Sequence, residues 1–261
     1  PANLLGIEAC SAEMPDTPQV VVFDTAFHSH VPPKAHMYAL PYEYYEKYGI
    51  RRYGFHGTSH YYVSNRAAEI IGKPLEELKI ITCHLGNGCS IDAVRGGHAI
   101  ETSMGFTPLE GLMMGTRTGD IDSAVPLFIM KKEGLSPDEM DTVMNKKSGL
   151  LGVTGISSDM REVEKAARSG DDRAALALDM YCYRIKKYIA AYTGILGGCD
   201  VLVFTAGVGE HSAFVRSTSC EGLAFLGIRI DKEKNARATG GETVISEDDS
   251  PVQVLVIPTN E

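Results

Sequence analysis

Residues 80–92, IITCHLGNGCSID, constrain what this chain can fold into more than any other stretch. Ile80, Ile81, Thr82 and Cys83 form an apolar, β-capable run. Gly86-Asn87-Gly88 then turns the chain, and a second extended run continues through Ser90 and Ile91. Two such runs joined by a tight glycine turn predict a β-hairpin. With no Cβ on either side of Asn87, several backbone N–H groups can converge on one anion. His84 and Asn87 add side-chain donors at the same rim. Asn-Gly turns also close many hairpins that bind nothing, so this stretch alone leaves phosphate binding and a plain turn both open.

The surrounding composition narrows the partners. A net charge of −9 over 261 residues argues against nucleic acid or an anionic membrane surface. An acidic protein that handles phosphates must concentrate positive charge locally, so single arginines beside glycine loops become candidates. No apolar run approaches the roughly 18 residues of a membrane span, and the start shows no signal-peptide pattern. The six cysteines form no CxxC pair, and several sit in apolar runs, as buried thiols of a cytosolic protein would. The start at Pro1 rather than Met leads to the expectation of a fragment or a processed product.

Around the hairpin the pattern alternates strands and helices. Residues 20–23 predict a short buried strand that delivers Asp24, and 41–48 a short helix in a tyrosine-rich stretch. Thr58 or Ser59 caps a helix with Val63, Ala67, Ile70 and Ile71 as its buried stripe, stopped by Gly72-Lys73-Pro74. A third strand is expected near 99–101. Thr107-Pro108-Leu109-Glu110 fits a capping box opening a short helix, and Ser136-Pro137 with Glu139 fits a second. Helices are expected at 123–132, 136–146, 157–170 and 171–196, the last with Leu176, Met180, Tyr183, Tyr188 and Ile189 among its apolar positions. Further strands are expected at 201–204, 227–230, 243–246 and 252–257, with a helix running to about Leu223. The order indicates α/β architecture with a mixed sheet flanked by helices.

Polar loops around Asp24, His56, Asn87 and Arg117, and a glycine-rich one at Gly207, carry the candidate chemistry. Gly207-Val208-Gly209 follows a strand, but position 212 is Ser, so the G-x-G-x-x-G spacing fails. No G-x-x-x-x-G-K-[ST] phosphate loop occurs. A bound nucleotide would therefore be held by hairpin turns. Taken by themselves, His56 also fits a core or capping histidine, Arg117 a surface ion pair, and Asp24 a cap or hinge.

The runs VFDTAFH (22–28), YGFHGTSH (53–60), HLGNGCSI (84–91), TSMGFTPLEGLMMGTRTGDID (102–122), TGISSDMR (154–161) and VFTAGVGEHS (203–212) resemble the acetate kinase family along essentially the whole chain. The resemblance implies a ribonuclease-H-like fold of the sugar-kinase, heat-shock-chaperone and actin superfamily. It divides the chain into residues 1–25, the end of a first domain and hinge; 26–258, a nucleotide-binding domain; and 259–261, a return toward the first domain. The family's amino-terminal third and extreme carboxy-terminus have no counterpart here, which leads to the expectation of impaired activity.

The implied reaction is reversible transfer of the ATP γ-phosphoryl group to acetate, giving acetyl phosphate and ADP. By the same resemblance Asp24, His56 and Arg117 are catalytic. His84, Leu85, Gly86, Asn87 and Gly88 face the phosphates. Asp159, Met160 and Arg161 contact the ribose and adenine edge, and Gly207, Val208, Gly209, Glu210 and His211 the adenosine. Phe55 and Pro108 form part of the acetate pocket, and Glu261 is a Mg2+ ligand. Asp24 is expected to orient magnesium-bound water or Arg117. A cytoplasmic homodimer is implied, with ATP/ADP and Mg2+ as cofactors. The alternatives are a propionate or other short-chain acyl kinase and a non-catalytic nucleotide-binding module of the actin or chaperone type.

Overall fold

Side-chain alternation along the hairpin decides how the sheet is covered. In the computed structural model, which describes residues 2–260, β1 (Lys79–Leu85) and β2 (Cys89–Arg95) pair antiparallel, with His84 opposite Ser90 and Thr82 opposite Asp92. Successive residues point to opposite faces. Ile81, Cys83 and Leu85, with Cys89, Ile91 and Ala93, therefore enter one core. Ile80 and Val94 enter a second core on the other side. Thr82, His84, Ser90 and Asp92 share that second face, and all four are buried.

The remaining strands extend the hairpin into a mixed sheet whose order is β3 (His98–Thr102), β2, β1, β4 (Val201–Thr205), β6 (Gln253–Val256), β5 (Thr243–Val244). β3 pairs antiparallel with β2 across a register shift at Ala93/Val94. β4 runs parallel to β1, and β6 parallel to β4. β5 closes the edge antiparallel to β6. The 25-residue helix Asp172–Leu196 covers the first face; Asp171 caps it by accepting from the Ala174 N–H, and Gly197 ends it in the left-handed region. Its buried stripe runs through Ala174, Ala177, Leu178, Tyr181, Ile185 and Ile189 at helical spacing, while Leu176 and Tyr183 stand exposed. The helix Gly57–Ile71 covers the second face with Val63, Ala67 and Ala68. The expected mixed α/β sheet with flanking helices is thus present.

Several local expectations are corrected. Residues 20–23 form no strand and are exposed, Val20 by 86% and Phe23 by 66%. No described strand supplies ladder partners for them, and without a ladder a β-branched run has nothing to hold it extended and buried. The 107–115 segment is not a helix. The Glu110 carboxylate accepts from Arg52 at 2.8 Å and from the Tyr38 hydroxyl instead of closing a box on Thr107. Leu112, Met113 and Met114 are all buried in succession, which a one-sided helix cannot do. The helix Gly57–Ile71 is preceded by His56 in the left-handed region, with no side-chain cap from Thr58 or Ser59. The 157–170 helix begins at Met160, with Asp159 as its cap. The helix after β4 splits at Ser212 into Ala206–His211 and Ala213–Cys220. Residues 227–230 contribute only isolated bridges at Ile228 and Ile230.

Candidate active site

The Gly86-Asn87-Gly88 turn opens onto a cleft of about 570 Å³. Gly86 and Asn87 line one side; Gly207, Val208, His211 and Ser212 line another. Ser158, Asp159, Met160 and Arg161 enclose it further, and Leu150 and Tyr181 add apolar surface. Two glycines show why the cleft has this shape. The Gly115 N–H donates to the Asn87 carbonyl at 3.1 Å, and a Cβ on Gly115 would sit 2.2 Å from Asn87 Oδ1. A Cβ on Gly207 would meet no protein atom within 4 Å, so its absence only enlarges the space open to a ligand. An apolar-walled cleft of this size with convergent polar groups suits a nucleotide.

The short glycine-bearing helix Ala206–His211 is braced from behind by Arg216, which is fully buried. Its guanidinium donates to the Gly209 and Glu210 carbonyls, each at 2.8 Å, and to Asn235 and the Ala238 carbonyl. Burial without a carboxylate lowers its pKa to about 10, so it keeps its charge at neutral pH. Among the described residues, the two non-glycine residues with positive φ are His56 (57°) and Ala206 (63°), one at each side of the site. Backbone held in this region is a reservoir of strain that functional sites tend to retain.

At the other end of the turn, Asp24, His56 and Arg117 come together. Asp24 Oδ2 accepts from the His56 backbone N–H at 2.9 Å, and the Asp24 carbonyl accepts from Gly57. Arg117 donates to the Pro108 carbonyl at 3.1 Å. A Cβ on Gly88 would lie 3.3 Å from Arg117 Nη1 and 3.4 Å from His56 Nε2, so both donors reach the same point beside the turn. Asp24 thus fixes the backbone of His56 rather than contacting the Arg117 guanidinium. The His56 and His84 rings stack, 4.0 Å between centroids. Burial, with His56 and His60 adding to it, pushes the His84 pKa down to about 2. Burial lowers that of His56 as well, with Arg117 adding to it and Asp24 and Asp92 opposing. Both rings are therefore neutral at pH 7.

Of the residues expected at the nucleotide, Gly86, Asn87, Asp159, Met160, Arg161, Gly207, Val208 and His211 line the cleft. His84, Leu85, Gly88, Gly209 and Glu210 do not. Leu85 carries its side chain into the main core. Gly209 packs its helix against the end of β4, and the Glu210 carboxylate accepts from the Thr259 N–H at 3.2 Å. The Asp159 carboxylate is engaged by its own helix, accepting from the Arg161 N–H at 2.9 Å and from its guanidinium at 2.5 Å. Phe55 packs partly buried against the main core, and Pro108 enters the site through its carbonyl. Glu261, the expected Mg2+ ligand, lies outside the described residues. No group of three or more His, Cys, Asp or Glu side chains gathers to hold a metal among the described residues. An ion carried mostly by phosphate oxygens and water would not require one.

The sequence reading missed Glu164 and Ser212, whose side chains meet at 2.5 Å at the edge of the cleft. It also missed the buried set His28, His60, Ser90 and Asp92 behind His56. All of the latter lie inside or next to the motif runs, and polar residues in an apolar hairpin were the available signal.

The acetokinase family model matches residues 1–261. The chain is 63% identical over 261 residues to an acetate kinase of Dictyoglomus turgidum, covering all of this chain and 64% of that one. It is 61% identical over 263 residues to that of Thermotoga maritima, of which it covers 65%. The crystal structure of Porphyromonas gingivalis acetate kinase superposes with a TM-score of 0.96 at 52% identity, over 100% of this chain and 65% of that one. A propionate kinase from Francisella tularensis superposes at 0.94 with 46% identity, over 100% and 66%. The chain spans 64–65% of the length of these curated relatives. With its whole length matched by the family model, the chain belongs to the acetokinase family.

Proposed function

We propose that the chain is the nucleotide-holding part of an acetate kinase, which moves the γ-phosphoryl group of ATP reversibly onto acetate. The observation that carries this reading is the meeting of Arg117 and His56 at Gly88, on the same hairpin turn whose Gly86 and Asn87 line the cleft. A carboxylate acceptor is already ionised at pH 7, so no general base is required. What the transfer needs is placement, and neutralisation of the charge spread over the phosphoryl oxygens. Arg117 supplies a permanent charge with fork geometry. His56, neutral, donates one hydrogen bond to the same group. Mg2+, when bound, shares that charge on the phosphates. In this reading residues 26–258 form the nucleotide domain, residues 1–25 the end of a first domain and the hinge, residues 259–261 a return toward that first domain, and a cytoplasmic homodimer acts on small molecules only.

The test is acetyl phosphate formation from acetate and MgATP, trapped as the hydroxamate. The chain extended to its relatives' length is expected to turn over, and this chain alone to show little activity. An extended chain that binds MgATP without making acetyl phosphate would leave the clamp-module reading standing instead. The propionate kinase likeness favours a second reading within the family. One methylene in a small pocket is worth about 1–3 kcal/mol, so the ratio of kcat/KM for acetate and propionate decides between them.

A further inference from the structure

Behind His56, on the second face of the hairpin, lies a chain of contacts that the proposed function leaves unused. Ser90 Oγ sits 2.8 Å from His56 Nδ1 and 2.7 Å from His60 Nε2. His60 Nδ1 sits 2.7 Å from Thr82 Oγ1. Asp92 Oδ1 lies 3.5 Å from His60 Nε2, and its Oδ2 lies 2.6 Å from His28 Nε2. His60, Thr82, Ser90 and Asp92 are all shut off from solvent.

A serine hydroxyl has one proton. Ser90 can donate to only one of its two imidazoles, and the other imidazole must donate to Ser90. Were both imidazoles to donate, the buried Ser90 proton would have no acceptor among its hydrogen-bond partners, a costly loss in a dry site; the chain of hydrogen bonds therefore runs in one of two directions, and Asp92 selects between them. Burial, opposed by Asp92, lowers the His60 pKa to about 4, so the ring carries a single proton at pH 7. A lone pair on Nε2 would face a carboxylate oxygen in a dry site, whereas an Nε2–H faces it favourably. With the proton on Nε2, His60 donates to Ser90, and Ser90 donates to His56 Nδ1. The Thr82 hydroxyl donates to His60 Nδ1. His56, also neutral, then holds its own proton on Nε2, the nitrogen beside Gly88 and Arg117.

We propose that Thr82, His60, Ser90 and Asp92 are positioning residues that set the tautomer of His56, so that an N–H rather than a lone pair is presented beside Arg117. The substrate this serves, a phosphoryl group in transfer, rests on the function proposed above. The tautomer itself does not depend on it. An imidazole in the wrong tautomer would turn electron density toward an anion.

Ring-nitrogen NMR of the 15N-histidine-labelled chain, with His56 assigned by loss of its signals in His56→Gln, reads the tautomer without any activity. The expected spectrum has the His56 proton on Nε2. A proton on Nδ1 in the unmodified chain overturns the proposal, and that measurement needs no variant to fold. Ser90→Ala is expected to move His56 toward the Nδ1–H form, and an unchanged Nε2–H spectrum in a folded Ser90→Ala would also overturn it. In the chain extended to its relatives' length, Ser90→Ala should lower kcat about 10- to 100-fold while KM for ATP stays within about twofold; a parallel rise in KM would point to a merely structural serine and overturn the proposal. Expected ring spectra together with an extended chain that makes no acetyl phosphate would instead sink the kinase reading and leave the tautomer assignment standing.

Discussion

Arg117 is held through one terminal nitrogen of its guanidinium, Nη1. It donates to the Pro108 carbonyl and approaches the Met114 sulfur at 3.7 Å, with no carboxylate partner among the described residues. A guanidinium left uncompensated beside a glycine turn is suited to an anionic guest. Arg117→Ala in the extended chain is expected to reduce turnover about 10³-fold, the range in which a transition-state arginine acts. ATP affinity by calorimetry should change less than about threefold. Equal losses in both would make Arg117 a binding residue only. The sequence marks this position as one cation among Thr116, Thr118 and Gly119 but leaves it equally open to a surface ion pair. The partner of Asp24 was not legible, because the 32 residues separating it from His56 say nothing about which backbone N–H its carboxylate will meet.

At the scale of elements, the same four-residue pattern succeeded once and failed once. Ser136 and Glu139 form a full capping box on Pro137–Lys146, with the Glu139 N–H donating to Ser136 Oγ at 3.3 Å and the Ser136 N–H to Glu139 at 2.8 Å. Ser136→Ala should lower stability by about 1 kcal/mol, read as a shift in the urea midpoint. Thr107 and Glu110 carry the same letters, but Arg52 and Tyr38 take the glutamate. Local signals hold where no tertiary partner competes for them. Arg216 shows the reverse case, a charge that no local pattern marks as buried. Its removal in Arg216→Ala leaves four backbone carbonyls and Asn235 Oδ1 without their donor. A cost of at least about 1–3 kcal/mol is expected, the penalty for a buried acceptor left unsatisfied, together with weaker ATP binding as the helix Ala206–His211 loosens. A variant with unchanged melting and unchanged ATP affinity would show that the helix needs no brace.

Across the whole molecule, two buried histidines, His60 and His84, couple folding to pH. They are held neutral with pKa values of about 4 and about 2, chiefly by burial. In the unfolded chain both ionise near 6.5. As pH falls below about 6.5 the unfolded state binds protons that the folded state refuses, so stability declines down to about pH 4 for His60 and further for His84. His60 alone accounts for about 3 kcal/mol of that loss. Urea midpoints at about pH 7, 5.5 and 4.5 should fall in that order, and His60→Gln should flatten the decline. Identical slopes in the two proteins would mean that His60 is already charged when folded.

The sequence by itself determined the hairpin, the long helix that stops at Gly197 and the mixed sheet. These follow from period, cap and turn chemistry, which act within a few residues. Only the tertiary structure decided that residues 20–23 stand outside the sheet, that Glu110 serves Arg52, and that Ser90 joins His56 to His60. Each of those outcomes depends on which distant group competes for a hydrogen bond or a place in the core, and chain-local energies carry no record of that competition.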